Sequence, residues 1–237
     1  MLAFIVPAHN EEQLIARTLE SIHAAARAVG RAYDVFVADD ASTDRTAEIA
    51  RRHGARVVAI DRRQIAAARN AGAREALRNA DTRVLVFVDA DTMLPARTLA
   101  AALAALDRGA VGGGATIRFD GPIPRWADIL LKAMMAVFRA MKWTGGCFVF
   151  CRRDAFESAG GWDETVFAAE ELLFAQALKR HGRFVVLREP AITSARKLRA
   201  HSAREILTPM LRIGLRGLDG VRDRSELSIW YGPRRQS

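Results

Sequence analysis

In the first half of the chain, apolar positions follow two alternating periods. Short runs rich in Val, Ile and Phe occupy residues 2–6, 35–37, 57–60 and 84–88. Their length and β-branched content predict strands, and the run at 84–88 suits a strand buried on both faces. Between them the spacing becomes helical. Residues 11–29 place Leu14, Ile15, Leu19 and Ile22 on one face. Ser42 or Asp44 can cap the helix after the second strand, which ends near Gly54. Residues 64–79 predict an Ala-rich helix, and Pro95 suits the first turn of the next one. This βαβαβαβ order predicts a mostly parallel sheet flanked by helices, with right-handed crossovers. Ligands of such sheets bind beyond the carboxyl ends of the strands. The loops after Val6, Val37, Ile60 and Val88 therefore gather on one edge.

The second half is less regular. Residues 110–119, with Gly112-Gly113-Gly114, predict a strand, as do 147–151 and 184–187. Short helices are expected at 153–159 and 170–181, closed by Gly160-Gly161 and Gly182. Residues 126–143 are apolar but carry Asp128, Lys132, Arg139 and Lys142. They are read first as a core helix, because the apolar positions form no clean stripe. The second reading is a helix lying on a membrane surface, with Trp126 and Trp143 at its ends. Residues 207–218 form a further basic helix that raises the same question.

Composition narrows the class. The chain has 237 residues, half of them hydrophobic, enough for one substantial core. Its formal net charge of +9 favours anionic partners such as nucleotide phosphates or anionic lipid. Cys147 and Cys151 are expected on one strand face as buried free thiols, which suits a reducing, cytoplasmic compartment. No signal peptide or membrane-spanning run is expected, so membrane contact would be peripheral.

The candidate chemistry is acidic. Asp89 and Asp91 follow the fourth strand, and side chains two apart on a strand point the same way. Such a pair is a solvated strand end or a divalent-cation site of hard oxygen ligands, suited to magnesium or manganese with substrate phosphates. Polar groups also follow the first three strands: Pro7-Ala8-His9-Asn10-Glu11-Glu12, Asp39-Asp40-Ala41-Ser42-Thr43-Asp44 and Arg69-Asn70-Ala71-Gly72. Four separated segments converging on one crevice favour a site over a set of unrelated turns. An acidic crevice does not suit nucleic acid, so none is expected as a partner. The loop after strand one carries no Gly-X-Gly-X-X-Gly, which excludes a dinucleotide dehydrogenase.

These segments, in this order and spacing, resemble the family 2 glycosyltransferases, which have the GT-A fold. Gly145-Gly146, Gly160-Gly161-Trp162-Asp163 and Glu170-Glu171 extend the likeness over roughly residues 1–200. The resemblance implies a Rossmann-like α/β fold, a single compact domain with two halves. Residues 1–112 would bind the nucleotide sugar. Residues 113–200 would bind acceptor and carry the catalysis, and 201–237 would form a basic C-terminal helix and tail. The implied activity is metal-dependent, inverting transfer of a single sugar from a UDP- or GDP-sugar to an acceptor hydroxyl, the acceptor being lipid or saccharide. A binding protein that has lost catalysis and a nucleotidylyltransferase are the alternatives.

The resemblance also implies roles. Pro7, Ala8 and Glu11 would shape the nucleoside pocket, and Asp40 would accept the N–H of the base. Asp39 and Asp44 would be turn and cap residues. Arg69 would reach base or phosphate, with Gly145 and Gly146 lining the donor site. Asp89 would approach ribose or metal, and Asp91 would ligate the metal directly. Arg196, Lys197, Arg199 and His201 would close over the diphosphate, with His201 completing the metal shell. The family's base is usually the Asp of a Glu-Asp pair. Here that position is Glu171, with Glu170 and Asp163 as substitutes.

Overall fold

The structure is a computed structural model that describes residues 1–123 and 125–196. Arg199, His201, Lys197 and the segment 201–237 lie outside the described residues. The first half runs β1 (Leu2–Ala8), α1 (Ile15–Val29), β2 (Tyr33–Asp40), α2 (Thr46–Arg52), β3 (Arg56–Ile60), α3 (Ile65–Leu77) and β4 (Val84–Val88). The second half continues with β5 (Thr92–Met93), α4 (Ala96–Asp107), β6 (Ala110–Phe119), α5 (Arg125–Ala140), β7 (Phe148–Arg152), α6 (Arg153–Ala159), α7 (Glu170–Lys179) and β8 (Arg183–Thr193).

All eight strands form one sheet in the order β3-β2-β1-β4-β7-β6-β8-β5. The β3-β2-β1-β4 half is parallel, as expected from its alternation with helices. β7 runs antiparallel to both β4 and β6, β6 pairs parallel with β8, and β5 lies antiparallel on β8. The whole is therefore a mixed sheet whose parallel half carries the first four loops.

Strand alternation sorts the core into two layers. Phe4, Val6, Val86 and Val88 face Ile15, Leu19 and Ile22 of α1 and Leu99 and Leu103 of α4. Ala3, Ile5, Leu85 and Phe87 face α3, α6 and α7. Phe87 is fully buried, its ring centroid 5.1 Å from that of Trp162 and 6.1 Å from that of Phe174. Full burial of such a side chain contributes about 1.5–3 kcal/mol. α3 packs close to the sheet because its buried face is almost all Ala and Gly. A Cβ at Gly72 would stand 2.6 Å from Ile5 Cγ2.

Several expectations change. α1 begins at Ile15, because the Glu11 carbonyl accepts from the Leu14 and Ile15 N–H groups and residues 11–14 form a turn. β8 continues through Pro190, which falls at an irregularity in the β6 register where no ladder N–H is needed. Its carbonyl accepts from Thr98 Oγ1 at 2.9 Å. β5 is too short for any periodic signal. Both thiols are buried and free, but β7 starts after Cys147, so Cys147 lies in the α1/α4 layer and Cys151 in the opposite one. α5 is not a core helix: Met135 is buried, while Ile129, Leu130, Val137 and Met141 face solvent. Among the described residues, no helix is long and apolar enough to cross a membrane.

The close approach of α3 to β1 gives a direct test. Gly72→Val should lower stability by about 1–3 kcal/mol in urea unfolding, the range for overpacking a filled core. An unchanged midpoint would mean that the helix can move off the sheet freely.

Candidate active site

The loops at the carboxyl edge of the parallel half are stitched together. The Asn10 N–H donates to Ser42 Oγ, and Asn10 Oδ1 accepts from the Thr43 N–H at 2.8 Å. The Glu11 N–H donates to Thr46 Oγ1 at 2.7 Å. Asp44 Oδ1 accepts from the Thr46 N–H in a turn before α2, but the N-cap itself is Arg45 and carries no side-chain cap bond, so neither Ser42 nor Asp44 is the cap. Pro7 and Ala8 end β1, with Ala8 in register with Asp39.

The two aspartates ending β2 differ sharply. Asp40 Oδ1 accepts from the N–H groups of Arg62 and Arg63 at 2.8 and 2.7 Å, and Oδ2 accepts from the Gln64 N–H at 2.7 Å. Both oxygens are thus spent on holding the loop that leads into α3. Asp39 is buried, and its Oδ1 has no hydrogen-bond partner among the described residues. A buried carboxylate oxygen without a donor costs about 1–3 kcal/mol, more when charged. Asp40, expected to accept from the base, is thus engaged by the loop into α3, while Asp39, expected as a turn residue, makes fewer bonds.

Arg69 joins the rest. It is 1% exposed, although α3 is otherwise lined with small residues. Nη1 donates to Glu170 Oε1 at 2.8 Å, and Nη2 donates to Asp89 Oδ1 and to the Gly146 carbonyl, both at 2.9 Å. The guanidinium also lies 4.3 Å from the Trp162 ring centroid. Burial opposes its charge, but Asp89, Glu170 and Glu171 outweigh burial and hold its pKa above the ordinary value. Nε has no partner. Arg69 is thus a clamp between α3, the β4 turn, the Gly146 loop and α7. A Cβ at Gly146 would stand 3.2 Å from Arg69 Nη2, a tight contact that requires the guanidinium to give by a few tenths of an ångström. Gly145 is confined in the same way by Ile117.

Asn70 does for the Gly-Gly-Trp-Asp segment what Arg69 does for the acids. Its Oδ1 accepts from the Trp162 N–H, and its Nδ2 donates to the Trp162 carbonyl and to Glu164 Oε1, all within 2.8–2.9 Å. Gln64 Nε2 adds bonds to the Glu164 and Val166 carbonyls. Trp162 is thereby held under Arg69 and stacked on Phe174 at 4.2 Å. Asn70 and Trp162 had no assigned role in the sequence reading. Their adjacency to Arg69 and Asp163 within quoted motifs was the available signal.

At the start of α7, Glu170 is buried against Arg69, while Glu171 lies beside Gly146. Ala169 precedes them with φ of +59°, a conformation that turns the chain sharply into the helix. Part of Glu171 reaches solvent, yet its carboxyl is surrounded by protein. Burial, and then the neighbouring charge of Glu170, push its pKa up to about 8 against the pull of its own backbone N–H and Arg69. Asp163 is not gathered with them: its Oδ1 accepts from the Thr165 N–H and hydroxyl at 2.8 and 2.6 Å, closing an exposed turn.

β4 ends at Val88, so Asp89 and Asp91 sit in a turn closed by the Thr92 N–H donating to the Asp89 carbonyl. The strand-end argument for their convergence fails for this reason. The turn instead sends Asp89 to Arg69 and leaves Asp91 beside β8, with only long contacts of 3.4–3.5 Å from the Thr193 and Thr92 hydroxyls. Asp91 is half-buried. Its hard oxygens, next to Asp89, fit a magnesium or manganese site that takes one or two protein carboxylates and substrate oxygens. Among the described residues, no three His, Cys, Asp or Glu side chains are grouped to cage an ion. Across the mouth, Arg196 Nη2 pairs with the Glu11 carboxylate at 3.1–3.2 Å, so these two expected ligand groups hold each other.

The Glycosyl transferase family 2 model matches residues 3–158. The chain belongs to this family. It is 37% identical over 106 residues to an uncharacterized glycosyltransferase of Mycobacterium tuberculosis, covering 45% of this chain and 44% of the relative. It is 29% identical over 144 residues to the undecaprenyl-phosphate 4-deoxy-4-formamido-L-arabinose transferase of Edwardsiella ictaluri, covering 56% of this chain and 43% of that protein. The chain thus spans less than half the length of these curated relatives. Its fold matches a mannosyltransferase of Pyrobaculum calidifontis solved with GDP-Man and Mn2+, at a TM-score of 0.61 and 24% identity, covering 89% of this chain and 64% of that one. The fold is the GT-A fold.

The contrast between the β2 aspartates can be measured without any ligand. Asp40→Ala removes the acceptors of three N–H groups and should cost about 2–4 kcal/mol in chemical unfolding, whereas Asp39→Ala should stay within about 1 kcal/mol of wild type. Equal losses would refute the division of roles.

Proposed function

We propose that this protein transfers a single sugar from a nucleoside-diphosphate sugar to an acceptor hydroxyl, by direct displacement with inversion at the anomeric carbon. The observation that carries this reading is the Asp39 carboxylate lying on the same sheet edge as Arg69, Asp91 and Glu171. Asp39 accepts the ring N–H of a uracil or guanine base through its uncovered oxygen, Oδ1 being enclosed by protein. Pro7 and Ala8 form the wall beside it, and Glu11 accepts from ribose hydroxyls. Arg196 exchanges its bond to Glu11 for the diphosphate, a stronger anion at the same mouth. Residues 1–112 serve as the donor half and 113–200 as the acceptor half.

Asp91, with Asp89, would hold magnesium or manganese. When bound, the cation neutralises charge developing on the departing diphosphate. Arg69 keeps Asp89 and Glu170 in place, so Glu170 positions its neighbour instead of taking a proton. Glu171 takes the proton of the attacking hydroxyl. A carboxyl with a pKa near 8 is a strong base once ionised, but few molecules carry it ionised at low pH.

A second acceptor is favoured by one observation. A cavity of about 560 Å³ between β6 and α5 is lined by Ile117, Phe119, Leu131 and Met135 together with Lys132 and Arg139. Ile117 also abuts Gly145, next to the Arg69 clamp. Apolar walls with Arg118, Lys132 and Arg139 set against the one acid Asp128 suit a phosphate on an apolar tail, the acceptor class named for the undecaprenyl-phosphate relative. Such a phosphate is already ionised and needs no base.

Thermal shifts test the donor site. A UDP- or GDP-sugar at a hundred times its Kd should stabilise the wild type by about 2.7 kcal/mol in the presence of manganese. The shift should be largely lost in Asp91→Ala and in Asp39→Ala, and equal shifts in all three proteins would sink the assignment. Release of nucleoside diphosphate tests the base. With a hydroxyl acceptor the rate should rise about tenfold per pH unit up to about pH 8, because only ionised Glu171 accepts the proton. Glu171→Gln should then lose about 10²–10⁴-fold. A flat profile and an active Glu171→Gln with a polyprenyl phosphate would assign the second acceptor.

A further inference from the structure

α5 has two apolar faces, and only one is used. Leu131 and Met135 turn inward to the cavity beside β6. On the outward side, Ile129, Ala133, Val137 and Met141 recur every four residues, with Leu130 beside them. Ile129 is 68% exposed, Val137 51%, Met141 50% and Leu130 42%. They are the exposed large hydrophobic residues of the described fold, and all of them fall on one helix and the residue that follows it. Four such side chains in a row are not the scattered apolar exposure of an ordinary surface.

The charges on the same helix indicate what covers the row. Arg125, Lys132 and Arg139 are exposed and recur every seven residues, so they form one line along the edge of the apolar row. Lys142 adds a cation just past the helix end, and Asp128, bound to Lys132 at 2.7 Å, is the one acid of the helix. We infer that the outward face of α5 docks on an anionic phospholipid bilayer, with the aliphatic row inserted at the level of the acyl chains and the cationic line on the lipid phosphates. An apolar face edged by Lys and Arg is the pattern of a helix that lies in the interface plane.

Charge argues against the other occupants. A second copy in antiparallel two-fold pairing through this row would set the two cationic lines side by side. Residues 197–237 of this chain carry nine Lys and Arg against four Asp and Glu, again the wrong sign for this edge. The inference extends the reading of a lipid-borne acceptor. Vesicle binding is measured without donor or acceptor, so failure of one and failure of the other are separate results.

The test is flotation of the full chain with vesicles of phosphatidylcholine alone or mixed with phosphatidylglycerol. The chain should float with the anionic vesicles and much less with the neutral ones, and raising the salt should release it. Ile129→Asp combined with Val137→Asp should reduce the partition at least about tenfold, while the thermal midpoint and the nucleotide-sugar shift stay at wild-type values. Arg125→Gln should reduce it about fivefold. Absence of binding to anionic vesicles, or partition unchanged in the double variant, would overturn the inference. So would a dimer in solution that the double variant dissolves and vesicles do not, which would assign the face to a second copy. Cross-linking of residue 137 to residues 197–237 on vesicles would likewise assign it to the chain's own segment.

Discussion

A guanidinium removed from water is tolerable when its charge and most of its donors are met, and Arg69 meets its charge and both Nη groups through elements far apart in sequence. Its partners are Asp89 after β4, the Gly146 carbonyl before β7, and Glu170 at the start of α7, with Trp162 beneath. The Ala-rich face of α3 brings the helix close enough to the sheet for a long side chain to reach all of them. Removing one partner of such a buried ionic cluster costs about 3–5 kcal/mol, because the others are left charged and unpaired. The cluster therefore fixes the geometry of the acidic edge more than it adds to net stability.

The chemistry follows from what the clamp uses and what it leaves. Glu170 and one oxygen of Asp89 are taken, so Glu171 and Asp91 remain at the mouth. Glu171 shares its surroundings with Glu170, and that proximity in a poorly hydrated place raises its pKa. The same division recurs in β2, where Asp40 anchors the loop into α3 and Asp39 keeps an unpaired oxygen. Adjacent identical residues thus separate into a member held by its neighbours and a member less engaged. The backbone donors nearby decide which is which.

The alternation of β1–β4 with helices was legible in sequence because parallel strands buried on both faces are nearly all apolar. So were the four loops and the family resemblance they carry. Legibility stopped where a role depends on which neighbour reaches first. Nothing in Asp39-Asp40 says that three N–H groups from residues 62–64 will converge on the second carboxylate. Arg69 read as a ligand because a helix pattern cannot show that its small-residue face sinks it 1% from full burial. Asp163 read as a spare base, and its spacing to Thr165, two residues on, did not show that the two close a turn. The turn after Val88 also escaped, since a strand extrapolated three residues too far puts Asp89 and Asp91 on one face. α5 read as core because hydrophobicity alone does not say which of two apolar faces the sheet will cover.

The clamp is tested most directly by the coupling between Arg69 and Glu170. Stability would be measured for Arg69→Met, Glu170→Leu and the double variant, and the three losses combined in a double-mutant cycle. Direct ionic contact in a buried network predicts a coupling of about 1–3 kcal/mol, the double variant being far less damaged than the sum of the singles. Losses that add to within about 0.5 kcal/mol would contradict a clamp joining α3 to α7.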